Sequence, residues 1–323
     1  MSVNSKIEWT DATWNPVVGC TRVSEGCMNC YAERFAARFP ERFGGVSRMT
    51  EYGPRWTGKI VLRPEALNLP LRWRKQRRIF VNSMSDLFHE NVEFAHIVAI
   101  FRVMAIAQHH TFQILTKRPQ RMLEVMNLLP EALKTIFPAE KHPEVNAPGW
   151  PLPNVWLGVS VENQRAADER IPLLLQTPAA VRFLSCEPLL GPVDLTNYLP
   201  YQYQATDEWG AFTDLYVQTG VDWVIVGGES GPGARPMHPD WVRGIRDQCV
   251  AAGVAFHFKQ WGEWAPTDRV LSSKKTRYAA ENGQIFTDRP AGMRYERLGR
   301  IGKKAAGRLL DGRTWDELPV VVR

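Results

Sequence analysis

Six short runs of apolar, β-branched and aromatic residues recur along the chain: Arg78–Val81, Thr111–Thr116, Val155–Val161, Val181–Cys186, Trp223–Val226 and Val254–Lys259. Their starts lie roughly 25–45 residues apart, room for one helix and two loops. Most gaps carry an amphipathic stretch: Ala95–Ala107, Gln120–Leu129, Asn163–Gln176 and Pro239–Ala252. Start signals such as Asn91 and the Pro239-Asp240 pair precede several of them. Strands that are apolar at successive positions must be covered on both faces. Alternating strand and helix then argues for a parallel sheet. The pattern predicts an α/β fold, a complete or partial (β/α) parallel barrel of about 6–8 strands, with an open doubly wound sheet as the alternative. Pro16–Gly19 is the candidate first strand and Tyr31–Phe39 the helix after it.

The rhythm sets the expected domains. Residues 1–261 form the barrel domain and 262–323 a basic C-terminal extension, with Arg294–Leu310 partly helical. Two segments interrupt the barrel: residues 40–77, rich in Arg, Pro, Gly and Trp, and residues 196–220, polar and aromatic. With 44% apolar and 23% charged residues, the composition is that of a soluble globular protein. No apolar run approaches the ~20 residues that span a bilayer, and Met1–Thr10 lacks the apolar centre of a signal peptide, so no membrane partner is expected.

Three of the five cysteines, Cys20, Cys27 and Cys30, fall in one short segment. An odd count with this clustering fits metal binding in a reducing cytoplasm better than a disulfide framework. Three thiolates can hold three corners of a 4Fe–4S cluster and leave one iron open, whereas a structural zinc site closes itself with a fourth ligand.

In a parallel α/β barrel the chemistry sits at the C-terminal strand ends. Those ends carry Cys20; Ser83, Ser85 and Asp86; Thr116, Lys117 and Arg118; Ser160 and Glu162; Ser185, Cys186 and Glu187; Glu229 and Ser230; and Lys259, Gln260 and Trp261. Cys186 is a candidate hydrogen donor or fourth ligand, with a small buried apolar role as the alternative. Gly227–Gly233 reads as a phosphate or cofactor cradle, or equally as a plain tight turn. The net charge of +6, the run Arg72, Arg74, Lys75, Arg77 and Arg78, and the loaded tail lean towards anionic partners: a nucleotide, DNA or RNA. Twelve tryptophans offer base-stacking surfaces or core packing, and packing is expected for most.

The cysteine loop, with Tyr31 after its last cysteine, resembles the radical S-adenosylmethionine superfamily. Its spacing is Cys-x6-Cys-x2-Cys, where Cys-x3-Cys-x2-Cys is usual there. Cys27-Met-Asn-Cys30-Tyr31, Val81-Asn-Ser-Met-Ser-Asp86 and Ile114-Leu-Thr-Lys117 are similar to the spore photoproduct lyase branch. Over nearly its full length the chain resembles an uncharacterised phage and prophage family, the three-cysteine-motif or DUF5131 family. The markers are Ile7–Pro16, Ile114–Pro119, Leu157–Glu162, Ser185–Pro188, Val226–Gly231, Lys259–Gly262 and Gly302–Gly312.

The resemblance implies a 4Fe–4S cluster on Cys20, Cys27 and Cys30, with S-adenosylmethionine on its open iron. One electron, from a donor such as flavodoxin or ferredoxin, then cleaves the cofactor to start radical chemistry. Tyr31, Ser83, Ser85, Asp86, Glu162 and Glu229 are the implied cofactor-binding residues; Cys186, Lys117 and Glu187 are the catalytic candidates. Two other readings stay open: a non-catalytic protein with a structural zinc and a DNA-binding basic surface, and an iron–sulfur enzyme that does not use S-adenosylmethionine.

Overall fold

The computed structural model describes residues 5–146, 149–206, 212–269 and 271–320. Seven parallel strands form the main sheet in sequential order: β1 Ala12–Trp14, β2 Arg78–Val81, β3 Thr111–Thr116, β4 Val155–Ser160, β5 Val181–Cys186, β6 Trp223–Gly227 and β7 Ala255–Gln260. Strictly sequential order is barrel winding, since a doubly wound sheet reverses its order part-way. Among the described residues β1 and β7 are the edges of this sheet, so the barrel is partial.

The helices follow the apolar periodicity: α1 Tyr31–Arg38, α2 Phe94–Ile106, α3 Pro119–Ile136, α4 Gln164–Gln176 and α5 Pro239–Ala251. Helix α3 runs seven residues past the expected Leu129 although Pro130 sits inside it. A proline there gives up one backbone bond, and Val125, Met126, Leu129 and Leu133 keep the helix down by their burial. At α5, Pro239 occupies the first turn and His238 Nδ1 accepts the Asp240 N–H at 3.0 Å.

The first strand corrects the sequence reading. Pro16–Gly19 is not in the main sheet; Val17–Val18 pairs antiparallel with Val61–Leu62. The sheet strand is Ala12–Trp14, where Ala12 and Trp14 are fully buried. Asp11 sets its register, with Oδ2 accepting the Arg78 N–H at 2.8 Å. Residues 40–77 carry an antiparallel hairpin of Ser47–Thr50 with Gly53–Trp56 and a short helix, Pro64–Leu67. The 196–220 segment is a hairpin of Tyr201–Thr206 with Phe212–Gln218, and its tip lies outside the described residues.

The chain divides into two compact units, Met1–Ser160 with Gln176–Val181, and Val161–Leu175 with Arg182–Val322. In the second unit the C-terminal segment forms a four-stranded antiparallel sheet. Its strands are β8 Trp264–Pro266, β9 Thr276–Ala280, β10 Ile285–Phe286 and β11 Tyr295–Arg300, in the order β8-β11-β9-β10. The partly helical expectation for Arg294–Leu310 holds for one turn, Lys303–Ala306, while a strand fills the first part of the segment. Leu298 decides this by packing against Trp264, Ala234 and Ala279. The tail then returns along the exposed edge of β7. Phe258 N donates to Trp315 O at 2.9 Å, and His257 and Asp316 form an antiparallel bridge. Covering an edge strand removes a template for aggregation.

Glycines at the ends of β6 and β7 let two backbones cross. A Cβ on Gly228 would lie 1.9 Å from Trp261 O, and one on Gly262 (φ +83°) 2.2 Å from Glu229 O. Gly228→Ala is therefore expected to destabilise the protein by about 4 kcal/mol or more. Gly244→Ala lies mid-helix in α5, where a Cβ meets nothing within 4 Å. It is expected to stabilise by about 0.5–1 kcal/mol. Chemical denaturation of both variants checks the pair.

Candidate functional site

In the first unit the cysteine loop is clamped to the loop after β2. Gly19 N donates to Met84 O at 3.1 Å, and Gly19 and Ser85 form a parallel bridge. Gly19 has φ +103°, and a Cβ there would meet Lys59 O at 2.2 Å, so only glycine can deliver Cys20 to this place. Cys27 closes a 3-10 turn and Cys30 stands at the start of α1. All three thiols are half-buried and free.

Their electrostatics show a shared environment. Burial pushes the Cys20 thiol up to about 12; Asp86, Cys30 and Cys27 add to the rise and Arg118 opposes it. Burial likewise raises Cys30, while the Glu33 and Ala32 amides of α1 and the Lys117 ammonium pull the other way. A charge on one sulfur is thus felt by the others. Two cations and a helix terminus stand ready to offset negative charge.

Arg118 organises the site. It is 7% exposed. Nη1 donates to Asp86 Oδ2 at 3.1 Å and reaches Cys20 Sγ at 3.8 Å. Nη2 donates to Thr21 Oγ1 at 2.7 Å and Thr21 O at 3.3 Å, and Nε to Glu90 Oε1 at 2.9 Å. Asp86 is equally engaged. Oδ1 accepts from Thr116 Oγ1 at 2.7 Å and Phe88 N at 3.0 Å, and Oδ2 also accepts Lys117 N at 3.1 Å. His89 Nδ1 accepts the Asn91 N–H at 3.1 Å, so its proton is assigned to Nε2, 3.0 Å from Thr21 Oγ1. On the far side Arg22 pairs with the buried Glu33, whose Oε1 also accepts Trp56 N at 2.7 Å. This fixes the loop to α1 and the 47–56 hairpin.

Tyr31 is exposed and donates through Oη to Ser83 O at 2.6 Å. Ser83 Oγ donates to Asn15 Oδ1 at 3.2 Å and Ser85 Oγ to Val17 O at 2.9 Å. Lys117 is half-buried, and no hydrogen bond or ion pair of its ammonium occurs among the described residues. Cys20, Cys27, Cys30, Asp86 and Lys117 are thus gathered in one place, with Tyr31, Ser83 and Ser85 joined to the same loops.

The second unit holds the remaining candidates. Glu162 is buried and paired with Arg170 Nη1 at 2.7 Å. Glu229 is buried and gripped by Arg235, Nη2 on Oε1 at 2.7 Å and Nε on Oε2 at 2.9 Å. Glu187 pairs with Lys259 at 3.0 Å and sits over Gly227, where a Cβ would meet its Oε1 at 2.3 Å. Cys186 is fully buried, its thiol pushed well up by burial and then by neighbouring Cys249. Of the tryptophans that could stack on a base or pack in the core, Trp9, Trp14, Trp261 and Trp264 are buried, as expected for most, while Trp56 and Trp73 are half-buried. The glycines at 227 and 228 serve Glu187 and the backbone crossing.

A 4Fe–4S centre asks for soft thiolates and offsetting positive charge. The three thiols, the α1 amides, Lys117 and Arg118 fit that donor chemistry. Among the described residues no three His, Cys, Asp or Glu side chains are drawn around a common point as a bound metal would hold them. No helix of the described residues is long and apolar enough to cross a membrane.

A family model described as a protein of unknown function, DUF5131, matches residues 4–319. The chain belongs to this family. No curated protein and no solved structure matches it. The DUF5131 match takes in the cysteine loop, Arg118 and the Glu187–Lys259 pair alike. Sequence reading passed over His89, the Arg22–Glu33 pair and the central part of Arg118. The one signal for Arg118 was its place between the β3 end and the helix-starting Pro119.

Arg118→Met is expected to cost about 3–5 kcal/mol, because it strands a buried carboxylate. Arg118→Lys is expected to recover little, since an ammonium cannot reach Asp86, Thr21 and Glu90 together. Urea unfolding reads both. His89 supplies a pH test. Burial, then Arg118, holds its pKa below 6.5 in the fold. The unfolded chain therefore binds a proton that the native state refuses, so the His89 contribution is present above about 6.5 and is lost as pH falls below it. His89→Gln is expected to flatten the stability loss between pH 7 and 5, measured by urea unfolding across that range.

Proposed function

We propose that the chain is a radical S-adenosylmethionine-type iron–sulfur enzyme acting on a nucleotide or nucleic acid. One observation carries the reading: three free thiols in mutual electrostatic reach, beside Lys117, Arg118 and the amides that open α1. Cys20, Cys27 and Cys30 would hold the cluster. The bound cluster and S-adenosylmethionine would supply a carbon radical able to take hydrogen from an unactivated C–H bond.

This chain's own residues would do the rest. Lys117 suits the cofactor carboxylate, because its ammonium has no competing partner among the described residues. Tyr31 and the Ser83 carbonyl it holds suit the adenosine end. Asp86 suits a positioning part, since its oxygens already bind Thr116, Phe88, Lys117 and Arg118. A one-electron donor of flavodoxin or ferredoxin type has a face to dock on: α1 exposes Tyr31 and Phe35, Phe39 is exposed just after it, and Arg38 lies over the Phe39 ring. Five unpaired thiols fit a reducing cytosol.

Anaerobically purified protein is expected to carry about four irons and four sulfides per chain. Its reduced-state electron paramagnetic resonance signal should shift on adding S-adenosylmethionine, and Cys27→Ala should lose both the iron and the signal. One zinc with no sulfide after iron-supplemented anaerobic expression would overturn the reading. It would put a structural zinc site with a DNA-binding surface in its place.

A further inference from the structure

The ends of β5, β6 and β7 in the second unit carry polar groups that the cluster reading does not use. Pairing of β6 with β7 slips at this point. Val226 faces Phe258 but Gly227 faces Gln260, so Lys259 is the extra residue of a β-bulge. Bulges locally re-aim side chains and occur often beside active sites. Here Lys259 reaches Glu187, with Nζ to Oε1 at 3.0 Å and to Oε2 at 3.3 Å, while its neighbour Gln260 reaches Ser230, with Nε2 to Oγ at 3.2 Å. Glu187 is held in turn by Ser185 Oγ at 3.4 Å and by the missing side chain at Gly227.

Gln260 is only 7% exposed, yet among the described residues its Oε1 accepts no hydrogen bond. A buried carbonyl left without a donor costs about 1–3 kcal/mol. With the amide assigned so that Nε2 faces Ser230 Oγ, Oε1 is an acceptor open to a donor from outside the chain. Around it the site offers donors. Lys259 has N–H groups beyond those that Glu187 takes, and Ser230, which accepts from Gln260, has its own O–H to give. Glu187 aims Lys259 without closing the site, since the two side chains are 14% and 18% exposed.

We propose that these residues form a second binding site, whose ligand is a small molecule with a lactam edge, a ring carbonyl and N–H on neighbouring atoms. The ligand N–H satisfies Gln260 Oε1, and its carbonyl accepts from Lys259 or Ser230. Lactam nucleobases carry this edge, so the site would name the substrate class of the enzyme proposed above. The hydrogen-bond argument itself uses neither the cysteines nor a cluster.

The test is ligand-observed saturation-transfer NMR and titration on the full chain. The probes are uridine, inosine and 2-pyrrolidinone, with 3-methyluridine and N-methylpyrrolidinone as controls. Each N-methyl control is expected to bind at least about tenfold more weakly than its parent, the worth of one hydrogen bond to a buried acceptor. Gln260→Met and Lys259→Met are each expected to weaken uridine by about tenfold, with thermal unfolding confirming that each variant folds. Ser230→Ala, at a half-buried hydroxyl, serves where either does not, and is expected to weaken uridine several-fold.

Pyrrolidinone binding without uridine binding would keep the lactam site and remove the nucleobase. Equal binding of uridine and 3-methyluridine, no binding of any probe, or unchanged uridine affinity in folded Gln260→Met would overturn the proposal. Iron and sulfide content is read separately. A cluster without lactam binding sinks only the second site, and lactam binding without a cluster sinks only the radical reading.

Discussion

The cysteine region hangs on one buried ion pair. Arg118 and Asp86 are 6% and 8% exposed at the side chain, and neither charge has enough water to satisfy it alone. Each recruits further groups: Thr21 and Glu90 for the guanidinium, and Thr116, Phe88 and the Lys117 amide for the carboxylate. A buried pair of this kind adds little net stability over an apolar substitute, but breaking it is costly. What it does here is specify geometry. Three chain segments distant in sequence, the cysteine loop, the loop after β2 and the end of β3, meet on one planar fork. The fork positions Cys20 and, through the strand that carries it, presents Lys117.

The second unit is arranged around backbone proximity instead. Gly227, Gly228 and Gly262 remove side chains so that the ends of β6 and β7 pass within van der Waals contact and Glu187 has a seat. The bulge at Lys259 belongs to the same arrangement, since it brings a lysine to that seat. Two motifs of glycine and charged residues, Gly227-Gly-Glu-Ser and Lys259-Gln-Trp-Gly, are thus one feature of the fold.

Much of the fold could be read directly. The strands at 111–116 and 181–186 have the expected limits, and the helices at 31–38, 94–106, 164–176 and 239–251 differ by a residue or so. Burial on both faces writes continuous apolar runs, and helical burial writes its own period. The misses have physical causes. Ala12-Thr-Trp14 is too short and mixed to signal a strand; its burial and the Asp11–Arg78 pairing make it one. The helix expected to end at Leu129 runs on through Pro130, because the buried face of α3 outweighs one lost bond. Tyr295–Arg300 carries the charge of a solvated helix, yet Leu298 needed the apolar pocket beside Trp264.

For the site, the sequence by itself determined which chemistry was available: three clustered thiols, polar strand ends, and a parallel α/β frame that puts those ends on one edge. Those follow from residue type, spacing and period, which are local. Only the tertiary structure decided how the polar groups are shared out. It ties up Asp86, Glu162 and Glu229 with arginines, buries Cys186 within electrostatic reach of Cys249, and leaves the Lys117 ammonium and the Gln260 carbonyl without a partner among the described residues. Those partners come from across the fold, so satisfaction of hydrogen bonds and charge is a property of packing.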